Sequence, residues 1–264
     1  MTSSQPGKLR DSAVPIGGSD VLLVDSGNSR IKWARWGAVG MGAQQAVSRS
    51  EAGQATVFDV GSDPVCRVLI ANVAGAEAAG TLAAHLRDAC GVDPEFVSVA
   101  SEAFGLRIAY ADPGKLGVDR WVAMIGARSL GPGAVCVVDA GTAMTIDAVD
   151  AGGRHLGGLI TPGPDLMIGS LLEHTADLAA FFQKGVETRD LLADNTRGAI
   201  VQGSVHALAA LVDRCMQQLT ADKSMAPRLV ITGGAADRIV PFVSSPLVRV
   251  PDLVLRGLAV MARD

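Results

Sequence analysis

The chain has 264 residues, of which 48% are hydrophobic and 19% are charged, with a formal net charge of −4 and a pI near 5.6. This length suits one large domain or two of ordinary size, and either would bury a substantial core. The acidic balance offers no large basic surface for nucleic acid, and no apolar run approaches the ~18 residues of a membrane span, so we expect a soluble protein without either partner.

The spacing of the cysteines and the composition of the first residues indicate the cellular compartment of the protein. Cys66, Cys90, Cys136 and Cys215 lie too far apart for the close pairs of a zinc site and are too few for a disulfide-stapled secreted domain. We expect reduced thiols and a cytoplasmic location. Residues 1–19 lack the apolar core of a signal peptide and are expected to form a flexible leader.

The chain begins its regular structure with a predicted hairpin. Val21–Val24 has the composition of a buried strand, a turn of Asp-Ser-Gly-Asn follows, and the apolar residues after it favour a second extended segment. The segment "RVLIANVAG" then predicts a buried strand leading into an alanine-rich helix, Ala76–Cys90, and Pro94–Ala100 predicts another strand.

The second part of the chain repeats the hairpin. The segment "CVVDAGTAMTID", Cys136–Asp147, has the same order of apolar run, Asp, small residue and Gly as the segment around Asp25. Gly152-Gly153 predicts a hairpin turn after it, and helices are expected over Asp165–Glu173 and Thr196–Leu219. "RLVITGGAADRIV" then predicts a strand, a glycine turn and a helix, and the chain closes with a short strand and a helix.

This duplication predicts two similar α/β halves with a cleft between them. The expected boundary lies near residues 126–133, where "RSLGPGA", Arg128–Ala134, has the composition of a linker. The predicted halves are therefore residues 20–127 and 128–264.

An acid at the carboxyl end of a buried strand must meet a cation or hydrogen-bond donors, because an uncompensated buried carboxylate is costly. Asp25 and Asp139 are each followed by a glycine, which lets backbone N–H groups approach a ligand, and by Asn28 or Thr142 as a neutral donor. Such parts can hold phosphate and a metal ion. A single copy would be better interpreted as a turn cap; two copies favour phosphate binding. The Gly233-Gly234 pair fits either an adenine-side loop or a simple strand-to-helix turn.

These motifs resemble the nucleotide-binding elements of the actin, sugar-kinase and heat-shock-chaperone ATPase superfamily. The resemblance implies two ribonuclease H-like (actin-like) halves, each a mixed five-stranded sheet with helices, around a central cleft. A narrower resemblance comes from "YADPGKLGVDRWVAMIGA", "GGLITPG" and "NTRGAIVQG", which are similar to segments of type III pantothenate kinases. It implies ATP-dependent phosphorylation of pantothenate, the first step of coenzyme A biosynthesis.

The resemblance also implies roles for individual residues. Asp119 would be the catalytic base for the pantothenate hydroxyl, Asp25 would lie near Mg²⁺, and Asp139 would bind a monovalent cation, K⁺ or NH₄⁺. The residues implied for ATP are Asp25, Ser26, Gly27, Asn28, Ser29, Arg30, Ile31, Lys32 and Thr142, and those implied for pantothenate are Tyr110, Gly117, Val118, Asp119, Arg120 and Thr196.

Several of these residues have simpler explanations. Asp119 could merely stand at the start of a helix, Arg30 and Lys32 could be solvated charges, and Tyr110 could be a half-buried core residue. The four histidines show no ligand spacing and are interpreted as surface or core residues.

The resemblance further implies a homodimer, with the substrate pocket completed across the interface by Thr196 of the partner chain. Two alternatives remain: a kinase of another small alcohol, such as a sugar, and a non-catalytic transcription accessory factor. No acceptor motif of sugar kinases replaces "LGVDR", and the acidic charge balance disfavours DNA binding.

Overall fold

Two mixed β-sheets organise the part of the chain that the computed structural model describes, residues 20–50, 60, 63–175, 177, 178, 182, 190–221 and 225–263. The first compact unit comprises the described residues of Met1–Val99, Gly117–Gly131 and Val254–Asp264, and the second those of Ala100–Leu116 and Pro132–Leu253. The predicted leader, residues 1–19, lies outside the described residues. The predicted halves, 20–127 and 128–264, stay a prediction.

The first unit has a sheet of order β3-β2-β1-β5-β6, in which β4 also pairs with β2. Strand β1 is antiparallel to β2 and parallel to β5, and β5 is parallel to β6. Because β3 and β4 both lie against β2, the sheet has five strand positions along its path. The bounds are β1 Asp20–Ser26, β2 Arg30–Gly37, β3 Gly40–Met41, β4 Gln45–Ser48, β5 Val65–Asn72 and β6 Glu95–Phe96.

The second unit repeats this topology, with the order β11-β10-β9-β12-β13. Here β9 is antiparallel to β10 and parallel to β12, and β12 is parallel to β13. The bounds are β9 Val135–Ala140, β10 Ala143–Val149, β11 His155–Pro162, β12 Arg228–Thr232 and β13 Leu247–Arg249; a small hairpin of β7 Glu102–Ala103 and β8 Leu106–Arg107 belongs to the same unit. The predicted duplication and fold class, two similar α/β units on mixed sheets, are confirmed.

The strands form where the sequence is apolar and β-rich. In β1, every residue from Val21 to Ser26 is buried, because a strand in the middle of a sheet is covered on both faces. Residues of β1, β2 and β5 build the core of the first unit with Leu82 and Leu86 of the following helix. The core of the second unit combines β9, β10 and β12 with the long helix that contains Leu208 and Val212.

The helices agree closely with the predicted segments. The bounds are α1 Ala76–Cys90, α2 Val118–Ser129, α3 Pro164–His174, α4 Thr196–Ala221, α5 Ala236–Ile239 and α6 Leu253–Met261. Helix α1 has the predicted bounds and ends at Gly91, which adopts the left-handed conformation typical of a helix C-terminus. Among the described residues, none of the helices has the length and apolarity that crossing a membrane would require.

One strand is shorter than predicted. Of Pro94–Ala100, only Glu95–Phe96 forms a strand, since β6 is the last strand of its sheet and pairs with β5 at Leu69 and Ile70. Both residues of β6 are exposed, so little burial stabilises a longer strand at this edge.

Thiol labelling tests the assignment of β9 to the core. Burial raises the pKa of the Cys136 thiol to about 12, so the reactive thiolate is scarce at about pH 8, whereas Cys66 is exposed. We expect a maleimide to modify Cys66 rapidly in the native protein and Cys136 only after unfolding, as measured by peptide mass spectrometry. A Cys66→Ser variant should lose the rapid phase. Rapid labelling of native Cys136 would contradict the burial of β9.

Candidate functional site

Asp25 occupies the end of a buried strand, as the sequence predicts. It is the penultimate residue of β1, is 9% exposed and is paired in register with Lys32 of β2. The Lys32 Nζ lies 3.9 Å from the Asp25 Oδ2, so the lysine compensates part of the carboxylate charge. Lys32 is therefore more than a solvated surface charge, while Arg30 is exposed.

The turn between β1 and β2 exposes donors to solvent. The Gly27 N–H donates to the Arg30 carbonyl at 3.0 Å and closes the turn, and Asn28 and Ser29 are exposed beyond it. Ile31 points the other way and packs in the core of the first unit. A ligand at this turn can thus contact the side chains of Asn28 and Ser29, whereas Ile31 offers its backbone.

Ser26 and Arg49 brace the same turn from inside. The buried Ser26 hydroxyl donates to the Asn72 Oδ1 at 2.8 Å, and the Arg49 Nη2 donates to the Ser26 Oγ at 2.8 Å. Arg49 also donates to the Gly27 carbonyl from Nε at 3.0 Å and from Nη2 at 2.7 Å. Partial burial lowers the pKa of the Arg49 guanidinium. Arg49 therefore fixes the backbone of the turn and brings a positive charge to it.

The second unit carries the repeated turn. Asp139 is the penultimate residue of β9 and is half-buried. In the turn that follows, the Gly141 N–H donates to the Ala143 carbonyl at 3.1 Å, and Thr142 is exposed. In each unit, the loop after the fourth strand in the sheet order, β5 or β12, donates a backbone hydrogen bond to the last residue of the strand before the turn. The Val73 N–H donates to the Ser26 carbonyl at 3.1 Å, and the Ala235 N–H donates to the Ala140 carbonyl at 2.8 Å.

Close backbone packing explains two glycines near Thr142. The Gly163 N–H donates to the Thr142 carbonyl at 2.8 Å, and a Cβ at Gly163 would overlap the Gly141 and Thr142 carbonyls. Gly233 has a φ of 96°, and its Cβ would overlap the Ala140 backbone. The Gly233 requirement therefore comes from packing on β9, while a Cβ at Gly234 would meet nothing within 4 Å.

Asp119 stands in the first turn of α2, two residues after Gly117 at the N-cap position. Its Oδ1 accepts a hydrogen bond from the Arg120 N–H at 2.8 Å, which orients the carboxylate, and the positive end of the helix stabilises its charge. A Cβ at Gly117 would lie 2.6 Å from that Oδ1. A side chain at the glycine of "LGVDR" would therefore displace the Asp119 carboxylate from this position.

The remaining residues of that motif differ in exposure. Arg120 is 6% exposed, and Val118 and Asp119 are half-buried. Arg120 is thus largely covered by protein, and a guanidinium is suited to pair with a carboxylate or phosphate. The expectation that Asp119 begins a helix is confirmed, and it is compatible with a chemical role for the carboxylate.

Tyr110, in the second unit, is half-buried and stacks on His155, with ring centroids 6.1 Å apart and an interplanar angle of 19°. His155 is buried and bonded to Asp147, so its interpretation as a core residue is confirmed. Thr196 is the first residue of α4, after Asn195, whose Oδ1 accepts from the Gly198 N–H at 2.9 Å. It lines a cavity of about 870 Å³ between α3 and α4, together with Met167, Leu171 and Ile200.

The first unit thus holds the turn from Asp25 to Lys32 and the residues from Gly117 to Arg120, and the second unit holds Tyr110, Asp139, Thr142 and Thr196. The sequence prediction missed Arg49 and the Asp147–His155 pair. The sequence pattern of β4 does not indicate that Arg49 contacts Gly27, because this contact depends on how β4 pairs with β2. The contact of His155 with Asp147 depends on the register between β10 and β11. Among the described residues, no group of three or more His, Cys, Asp or Glu side chains forms a metal cluster.

Comparison with known proteins gives the sequence a clear relationship. The family model for type III pantothenate kinase matches residues 21–218. A type III pantothenate kinase of Nitrosococcus oceani is 40% identical over 252 residues, covering 92% of this chain and 94% of that protein. One of Aromatoleum aromaticum is 40% identical over 245 residues, covering 92% of this chain and 98% of that protein.

Solved structures support the fold. The chain resembles the ethanolamine utilization protein EutJ of Carboxydothermus hydrogenoformans with a TM-score of 0.50 and 15% identity, covering 96% of this chain and 93% of that one. It resembles a Sinorhizobium meliloti protein, provisionally assigned as a 2-dehydro-3-deoxygalactonokinase, with a TM-score of 0.52 and 15% identity, covering 92% and 96%. At such identities the likeness concerns the fold alone.

Replacing Arg49 with alanine tests its bracing role. We expect a loss of about 1.5–3 kcal/mol in the free energy of unfolding, because charged hydrogen bonds to the turn disappear. Urea unfolding followed by tryptophan fluorescence measures this directly, since Trp33, Trp36 and Trp121 all belong to the first unit. Arg87→Ala is the control, because its ion pair with Asp93 is exposed and should contribute below about 1 kcal/mol. Equal losses in both variants would contradict the bracing role.

Proposed function

The chain belongs to the type III pantothenate kinase family, and we infer that it transfers the terminal phosphoryl group of ATP to pantothenate. The product is 4'-phosphopantothenate, and the reaction is the first step of coenzyme A biosynthesis. One observation carries this conclusion: relatives of this family are 40% identical over nearly the whole of both chains. No comparison supports a transcription accessory factor or a kinase of another alcohol.

We propose that ATP phosphates bind the two turns of the duplicated hairpins. Support comes from the exposed Asn28 and Ser29 and from the positive charges of Lys32 and Arg49 beside the first turn. Ser26 and Ile31 are buried, so they would contribute backbone groups. Thr142 would act at the second turn, where its side chain is exposed.

A kinase of this family uses ATP with a divalent metal ion, and we propose that Asp25 helps to hold Mg²⁺. Mg²⁺ is typically bound by one or two carboxylates together with phosphate oxygens and waters. A single carboxylate at the end of β1, beside a turn suited to phosphates, fits that donor set. When bound, Mg²⁺ would neutralise charge on the phosphates.

We propose that Asp119 is the general base. The hydroxyl oxygen of pantothenate would form a bond to the γ-phosphorus of ATP as the bond to the β,γ-bridging oxygen breaks, so that ADP leaves. The hydroxyl proton would pass to the Asp119 carboxylate. Support comes from the hydrogen bond that orients this carboxylate and from the glycine that makes room for it.

We propose that Tyr110 and the run Gly117, Val118, Asp119 and Arg120 bind pantothenate. The nearly buried Arg120 guanidinium suits an anionic group, such as the carboxylate of pantothenate. The half-buried Tyr110 offers both an apolar ring and a hydroxyl.

Asp139 is proposed to bind a monovalent cation, K⁺ or NH₄⁺. Support comes from its half-buried carboxylate at the end of β9, beside a turn whose carbonyl groups are held by close glycine packing. Carboxylate and carbonyl oxygens are suitable ligands for such hard cations.

A homodimer is proposed from the apolar surface of the second unit. Leu156, Leu159 and Ile160 of β11 and Leu166 and Leu171 of α3, the β11–α3 face, are 38–63% exposed. Exposed apolar side chains of this size are typical of an interaction site, and β11 ends its sheet. Thr196, on the neighbouring cavity wall, would reach the pantothenate of the partner chain.

The proposed setting is the cytoplasm, without nucleic-acid or membrane partners. Support comes from the four cysteines, all of which are free thiols, and from the net charge of −4.

Pantothenate-dependent ADP release in the presence of ATP, Mg²⁺ and K⁺ tests the kinase activity. We expect Asp119→Asn to lower kcat by at least about 100-fold, because general base catalysis contributes 10²–10⁴. Asp93→Asn, an exposed carboxylate on the α1–β6 loop, is the matched control and should stay within twofold of wild type. An active Asp119→Asn variant would remove the proposed base, and an inactive wild type would refute the function itself.

Sedimentation of an Ile160→Asp variant tests the homodimer. Placing a charge on the β11–α3 face should convert the dimer to a monomer and abolish ADP release, because Thr196 of the partner would no longer be supplied. Val39→Asp is the control, since Val39 is fully exposed on the β2–β3 turn of the first unit. A monomeric wild type, or a dimeric Ile160→Asp variant, would contradict the proposed interface.

A further inference from the structure

A buried carboxylate and a buried imidazole pair in the second unit. The His155 Nε2 lies 3.0 Å from the Asp147 Oδ1, and the two side chains are 0% and 2% exposed. Asp147 belongs to β10 and His155 is the first residue of β11. Because burying an unpaired carboxylate is costly, the histidine compensates an otherwise unfavourable residue.

The second ring nitrogen of His155 contacts another part of the chain. The Ala109 N–H donates to the His155 Nδ1 over a long distance of 3.5 Å. An Nδ1 that accepts a hydrogen bond carries no proton, so the proton of the neutral ring lies on Nε2 and is donated to Asp147. The carboxylate and the Ala109 N–H therefore favour the same tautomer and ring orientation of His155.

Three further contacts fix the same short segment, residues 107–110. The Arg107 N–H donates to the Gly153 carbonyl at 2.9 Å, and Arg107 and Arg154 form an isolated parallel bridge. The Tyr110 ring lies nearly parallel to the His155 ring at a centroid distance of 6.1 Å. The β10–β11 hairpin thus holds the backbone before Tyr110 and one face of its ring.

We propose that His155, oriented by Asp147, is a positioning residue that sets the Tyr110 ring for pantothenate. This inference rests on the proposed role of Tyr110 in pantothenate binding. His155 is buried and acts through Tyr110, so it affects how well the substrate is bound and leaves the phosphoryl transfer itself unchanged.

Variants of the Asp147–His155 pair test whether the pair positions Tyr110 or only stabilises the protein. In an Asp147→Leu/His155→Phe double variant both polar side chains of the pair are lost together, so neither is left buried without the other. His155→Gln is the second variant, because its amide can still donate to Asp147 while the ring and the Ala109 contact are lost. His85→Phe, on α1 of the first unit, is the matched control.

The first readout is independent of activity. Tyr110 is the only tyrosine in the sequence, so incorporated 3-fluorotyrosine gives one ¹⁹F signal from this ring. We expect the signal to move toward the position of the unfolded chain in the double variant and in His155→Gln, and to stay in place in His85→Phe. An unmoved signal in both pair variants would overturn the positioning role, whatever the protein phosphorylates.

The second readout is kinetic. We expect the KM for pantothenate to rise about tenfold in the pair variants, while kcat and the KM for ATP stay within about twofold. In a Tyr110→Ala background, the same replacement should change the KM for pantothenate less than about twofold, because the pair acts through that ring.

Two kinetic results would overturn the link to substrate. One is an equal rise in KM with and without Tyr110, and the other is a parallel loss of kcat and of ATP affinity, as a general structural defect would give. Failure of the proposed function is separate: it appears as wild-type protein without pantothenate-dependent ADP release, and it overturns the substrate link even if the ¹⁹F signal moves.

Discussion

A carboxylate at the end of a buried strand must be compensated, and this chain places one at the penultimate position of a central strand in each of its two mixed sheets. In β1 the cross-strand Lys32 lies 3.9 Å from Asp25, and in β9 Asp139 occupies the equivalent penultimate position. Each acid is followed by a glycine turn that leads into an antiparallel partner strand. The duplicated topology therefore brings the same polar arrangement to the same end of both sheets.

The two turns are held by different means. Arg49 and Asn72 brace the first with side-chain hydrogen bonds, which also bring positive charge. Gly163 and Gly233 hold the second by packing backbone against backbone. Because the bracing groups lie inside, Asn28, Ser29 and Thr142 remain exposed toward solvent. Rigid turns with exposed donors lose little entropy when an anion binds, as phosphate recognition requires.

The sequence predicts those parts whose pattern is local. The continuous apolar run of β1 and the alanine-rich sequence of helix α1 are local signals, and the repeated Asp-x-Gly segment reveals the duplication. It could not predict the extent of β6, which depends on edge pairing, or the contact of Arg49 with Gly27, which depends on how β4 pairs with β2. The Asp147–His155 pair was likewise hidden, because strand register and a distant segment create its partners. Motif resemblance singled out Asp119, and the structure shows that a Cβ at Gly117 would displace its carboxylate.

In the proposed reaction, the first hairpin fixes the phosphates of ATP and Asp119 accepts the hydroxyl proton, and a crystal structure with a non-hydrolysable ATP analogue and pantothenate tests both roles at once. We expect terminal phosphate oxygens against the turn formed by Gly27, Asn28 and Ser29, with the Asp119 carboxylate about 2.6–3.2 Å from the substrate hydroxyl. Nucleotide bound away from that turn, or an Asp119 carboxylate turned away from the hydroxyl, would contradict it.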